Sequence, residues 1–130
     1  MTLTPGELER VALPVLNEIH DEECEMIARI AEVCESGDEE PLEDLMGELY
    51  EHFKAHFDLE EQNMLRTEFE DYDEHRAEHE AMRVRYQGLM EDGSLDELTD
   101  FFTEELPDWF RDHVANLDVV TAEHVAAWGG

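Results

Sequence analysis

Lysine is nearly missing from this chain: of 130 residues only Lys54 is one, and eight basic side chains face 37 acidic ones for a formal net charge of −29. A field of that sign repels phosphate backbones and anionic headgroups, which excludes nucleic acid and membrane surfaces as partners. Also missing is any apolar run near the roughly 18 residues of a membrane span, or a basic stretch leading into an apolar one at the N-terminus. The expectation is a soluble, cytoplasmic protein. Cysteine is scarce, with only Cys24 and Cys34, ten residues apart on one expected helix. That separation is about 15 Å along a helix axis, too far for an intrachain disulfide, so both read as core thiols.

An acidic chain can be disordered for want of apolar residues, but this one is 42% hydrophobic, and those residues recur at helical spacing. Its length suits one domain, 1–130, with a core of its own. Four stripes stepping by three and four predict helices over roughly 13–35, 42–66, 72–91 and 95–117. The first stripe runs from Leu13 through His20, Cys24 and Ile27 to Cys34, and the second from Leu42 through Phe53, His56 and Glu60 to Met64. The third holds His75, His79, Met82, Tyr86 and Leu89; the fourth runs Leu98, Phe102, Leu106, Phe110, His113, Leu117. Thr4-Pro5-Gly6-Glu7 suggests a short helical lead broken at Pro14, and Gly37 and Gly93 suggest stops. Asp71-x-x-Glu74 and Ser94-x-x-Glu97 read as capping boxes. Pro107 should kink or restart the last helix. The fold class expected is all-α, an antiparallel up-down-up-down four-helix bundle.

Chemistry concentrates on the inner faces of those helices. Residues four apart share a helix face, so His56 with Glu60, and His75 with His79, can each converge on one point. Imidazole mixed with carboxylate suits iron, manganese or zinc, and a bundle core is where such ligands gather. His20 lies within the first stripe, and His113 with Asp118 completes the set near the end. Five histidines and two carboxylates on four helices point to a dinuclear metal site. Glu61 is rotated by about 100° from Glu60 and reads as a solvated charge; His52 reads as a flanking residue. Asp118 follows His113 by five residues, about 140° round an ideal helix, so the helix should end or tighten near Asn116. The tail beyond it, with His124 and Trp128, matches no metal motif and reads as a packing segment.

The lone His20, His56-Phe-x-x-Glu60-Glu with Met64, His75-x-x-x-His79, and Trp109-Phe-x-x-His113 with Asp118 together resemble the hemerythrin family, over residues 13–118. That resemblance implies two iron ions bridged by an oxo or hydroxo group. His75, His79 and His113 would hold one, His20 and His56 the other with a coordination position left open, and Glu60 and Asp118 would bridge. It implies dioxygen as the ligand, bound reversibly for storage, delivery or sensing, with Trp109 and Phe110 beside the oxygen pocket. The alternatives are a di-iron enzyme reducing peroxide, oxygen or nitric oxide, and an iron-handling module. No output domain is attached, which disfavours built-in signalling, and oligomeric state stays open with a monomer allowed. Two positions depart from the family pattern: Phe110, where leucine is frequent, and Val119-Val120-Thr121, where a lysine- and tyrosine-containing tail is usual.

The charge surplus suits a salt-rich, halophilic setting, because the screening length falls to about 3 Å at 1 M salt. Thermal melts should therefore show a higher midpoint in molar potassium chloride than in dilute buffer. No salt benefit would remove the halophile reading and leave the metal reading intact.

Overall fold

The computed structural model describes residues 8–128, so the lead expected from Thr4 to Glu7 lies outside the described residues. Among the described residues every regular element is helical. Helix α1 spans Pro14–Ser36, α2 Leu42–Arg66 and α3 Tyr72–Asp92. A fourth rod follows, built from α4 (Leu95–Asp100), a π-turn at Phe101–Glu105, α5 (Leu106–His113), a second π-turn at Val114–Asp118, and α6 (Val119–Ala127). Neighbouring rods run antiparallel as a four-helix bundle, with α2 packed on α1 and α3, and the fourth rod closing against α1.

Local chemistry explains most boundaries. Pro14 takes the first position of α1, where its missing N–H costs nothing. Gly37 ends that helix at φ 80°, a left-handed conformation that side chains resist. Gly93 ends α3 for a different reason: a Cβ there would sit 2.6 Å from the Leu89 carbonyl oxygen. The Ser94 box forms, with Ser94 N–H donating to Glu97 and Glu97 N–H donating to the Ser94 hydroxyl at 3.1 and 3.2 Å. The expected Asp71 box does not; its side chain makes no capping bond, and α3 starts with Asp73 and Glu74 in its first turn, where the helix dipole favours them.

The π-turns bear on two further expectations. At Pro107 an α-segment does restart: α5 begins at Leu106 with the proline in its first turn. The wide turn just before it closes from Leu106 N–H to the Phe101 carbonyl, which spares the ring its clash with the preceding turn. The second expectation is corrected, because the helix does not end or tighten near Asn116. It widens, with Val119 N–H bonding the Val114 carbonyl five residues back. The extra residue offsets the angular mismatch, so Asp118 returns to the face of His113 while Leu117 turns partly outward.

The core divides along the bundle. At one end Ile27, Leu49, Tyr86, Phe101, Phe102 and Leu106 pack as apolar bulk, and Tyr86 Oη donates to the Met46 carbonyl at 2.8 Å. Because the rods alternate in direction, the start of α1, the end of α2, the start of α3 and the second π-turn meet near the other end. Cys24 and Cys34 are both buried, and no disulfide joins them.

A π-turn acts as a one-residue insertion in an α-helix. Deleting the exposed Asn116 should let an α-turn close with Asp118 still inward, costing the metal-free protein little stability. Inserting an alanine after Asn116 should rotate Asp118 and α6 by about 100° and lower the melting midpoint sharply. Equal damage from both changes would contradict this account.

Candidate metal centre

All seven residues expected at the site are buried, and they converge. His20 comes from α1, His56 and Glu60 from α2, His75 and His79 from α3, while His113 ends α5 and Asp118 ends the second π-turn. Glu60, His75, His79, His113 and Asp118 offer ligand atoms within 4.8 Å of one another, and His20, His56 and Asp118 form a second such group. Asp118 is shared: its Oδ1 lies 3.0 Å from His75 Nε2 and 3.1 Å from His113 Nε2, while Oδ2 lies 3.2 Å from His20 Nε2. Glu60 Oε1 lies 3.1 Å from His56 Nε2 and 3.4 Å from His79 Nε2, so it too stands between the groups.

What these atoms lack identifies their use. Both nitrogens of His20, the Nε2 atoms of His56 and His79, and all four carboxylate oxygens of Glu60 and Asp118 are buried without a hydrogen-bond partner. Unpaired polar atoms in a protein interior cost free energy, about 1–3 kcal/mol each and more when charged. So many in one place, all aimed at common points, suit cations held by mixed imidazole and carboxylate ligands. The cluster fits a metal site.

The far nitrogens of four of the histidines are held by residues that helical periodicity did not single out. Glu23 accepts from His56 Nδ1 at 2.9 Å, Glu78 from His113 Nδ1 at 2.7 Å, and Glu61 from His79 Nδ1 at 2.9 Å; Thr121 Oγ1 meets His75 Nδ1 at 2.9 Å. Glu23 and Thr121 had a signal available, since each lies three residues beyond a core residue, His20 and Asp118 respectively. Glu61 and the tail therefore need correcting. Glu61 is not a solvated charge, because its side chain is 13% exposed and is spent on His79 with Arg83 3.7 Å away. The tail is not mere packing, because α6 supplies Thr121, and His124 Nε2 donates to the Thr67 carbonyl at 2.7 Å. His52 does flank the site, bridging Glu23 at 2.9 Å and Glu22 at 3.0 Å.

Aromatic rings close the remaining sides. Phe57 stacks on His79 with centroids 4.0 Å apart, Trp109 stacks on His113 at 4.5 Å, and Phe110 meets His20 at 5.6 Å nearly at right angles.

Electrostatics within the cluster follow from burial against charge. Burial alone would lower His56, yet the carboxylates of Glu23 and Glu60 hold it well above the usual imidazole range. Burial would raise Asp118, but His113, His20 and His75 hold it well below the usual carboxylate range. Glu60, pushed up by burial and by Asp118, is nonetheless lowered by His56 and His79. Without metal, then, protons on the imidazoles balance the carboxylates, and a metal must displace them.

A four-helix bundle with a buried, cation-fitting histidine and carboxylate cluster is the class this geometry defines. The family profile described as Hemerythrin HHE cation binding domain matches residues 11–120, and the chain belongs to that family. It is 30% identical to the bacteriohemerythrin of Aquifex aeolicus (strain VF5), over 96% of this chain and 98% of the relative. A solved crystal structure of a leucine-to-phenylalanine mutant is similar in fold, with a TM-score of 0.85 at 21% identity over 98% of both chains. No described helix is long and apolar enough to cross a membrane.

His113 yields a test of the metal-free state. Burial opposes its proton, but Asp118 and Glu78 raise it from the ordinary 6.5 to about 10. A raised folded-state value contributes stability in full below about 6.5 and loses it as pH climbs toward about 10. Melting midpoints of chelator-treated protein should therefore fall across that interval, and metal-loaded protein should be much flatter. A metal-free midpoint that holds or rises there would contradict the assignment.

Proposed function

We propose that this chain is a non-haem di-iron protein that binds dioxygen reversibly, for storage, delivery or sensing, and is not an enzyme. The observation that carries the reading is the shared placement of Glu60 and Asp118, two buried carboxylates lying between one group of three imidazoles and another of two. In this reading His75, His79 and His113 hold one iron, His20 and His56 the other, and the two carboxylates bridge. The choice of iron and dioxygen rests on family membership and on a relative named bacteriohemerythrin. Held by these residues, a pair of irons would supply the redox chemistry that reversible dioxygen binding needs.

The protein's own part is positioning and exclusion. The side with two imidazoles has fewer ligands, and Phe110 stands against it through His20. That ring, buried with Phe53 at 6.1 Å, keeps water and small acids from the more open position. Carboxylates and a threonine behind the histidines fix which nitrogen faces the metal. Sealing the site in this way favours release of the ligand unchanged over its protonation and loss. In setting, we propose a cytoplasmic protein of a salt-rich organism, consistent with its acidic surface.

Iron analysis should find two ions per chain, and absorbance recorded through cycles of oxygenation and deoxygenation should return to its starting spectrum. One iron, or zinc alone after growth with ample iron, would sink the dinuclear reading. Oxygen or peroxide consumed over many turnovers would replace the carrier with an enzyme. Phe110→Ala should keep two irons yet autoxidise faster, about tenfold for about 1.4 kcal/mol of barrier. Unchanged autoxidation with stability lowered by about 3–5 kcal/mol would show that the ring only packs.

A further inference from the structure

The five histidines are not equally prepared. An imidazole binds metal best when its other nitrogen is already fixed, because the partner sets tautomer and ring orientation beforehand. On the three-histidine side every ring has such a partner, supplied by Thr121, Glu61 and Glu78. Glu61 is itself steadied by Arg83 at 3.7 Å and Arg76 at 3.9 Å. On the two-histidine side the support is thinner. His20 has no hydrogen-bond partner on either nitrogen, so only His56 is held.

The holder of His56 is unusual in its setting. Glu23 is fully buried, and both its oxygens lie 2.9 Å from His56 Nδ1. A buried carboxylate must be compensated, and among the described residues its one further hydrogen-bond partner is His52, whose Nδ1 lies 2.9 Å from Oε2. His52 is a quarter exposed and reaches Glu22, at the surface, at 3.0 Å. Order on this side thus hangs on a single interior carboxylate gripped from the rim by one histidine.

We propose that the two metal positions fill in order, the His75, His79 and His113 position first, and that Glu23, steadied by His52, sets the affinity of the second. The inference rests on the dinuclear reading. Between the two affinities the chain carries one divalent ion, and occupancy of the second position follows the supply of that ion. Glu23 and His52 are positioning residues and touch no ligand-binding face of the cluster.

Anaerobic titration of chelator-treated protein with cobalt(II), followed by visible absorbance and calorimetry, tests this without oxygen chemistry. The parent should take up two equivalents in two resolved steps. Glu23→Gln should weaken the second step by about 10–100-fold and leave the first unchanged. Glu78→Gln should weaken the first. His52→Ala should weaken the second step less than Glu23→Gln does, and His52→Gln, which can still donate to Glu23, should restore much of the loss. Two equivalents of equal affinity in the parent, or loss spread evenly over both steps in Glu23→Gln, would overturn the ordering while leaving the dinuclear reading in place. Uptake of a single equivalent would overturn both.

Discussion

Enclosing Glu60 and Asp118 where no water reaches them is the constraint on which the remaining structure depends. Neither carboxylate completes a hydrogen bond, so each must be answered by positive charge drawn from several directions at once. Four rods therefore have to meet at one place, each bringing an imidazole, and their alternating directions allow it. The second π-turn belongs to the same requirement, since an unbroken α-helix would leave Asp118 off the face of His113. The apolar half of the bundle then anchors the rods, so that the demanding half need not collapse around its own charges. In the absence of metal, imidazole protons suit that need: the carboxylates raise His56 and His113, and the imidazoles lower Asp118.

How much of this could be read from the chain depended on whether a signal was periodic. The inward stripes of α2 and α3 are regular, and the buried positions from Leu42 to Met64 and from His75 to Leu89 follow them closely. The placement of His20 beside Cys24, and the ends at Gly37 and Ser94, were legible for the same local reasons. Asp118 was legible as a residue in search of a mechanism: rotation by five residues demanded an irregularity, but whether the helix would tighten or widen depends on tertiary packing. The supports of the histidines were harder. Glu61 and Glu78 sit on the flank between the apolar face and solvent, where an acidic sequence offers many similar candidates. Which of them turns inward is decided by the neighbouring helix.

Surface and interior charge act together here. The few basic side chains are mostly committed, Arg10 to Asp21 at 2.7 Å and Arg85 to Glu105 at 2.9 Å, and exposed pairs of this kind contribute little to stability. The uncompensated remainder gives the whole molecule a field that concentrates cations at its surface and repels anions. Metal ions arrive along that gradient, whereas anionic chelators and acids are kept at a distance. The same field strains the fold at low ionic strength, so affinity for cations and tolerance of dilute solution pull in opposite directions.

The stacking of Trp109 on His113 carries a spectroscopic consequence. An indole 4.5 Å from an imidazole at the cluster lies within quenching distance of any absorbing or paramagnetic ion held there, whereas Trp128 is 39% exposed at the far end of α6. The two tryptophans thus form a built-in emission pair, with Trp109 darkened by occupancy more strongly than Trp128. The ratio of their fluorescence reads the loading of the centre from the protein's own light, with no dye attached.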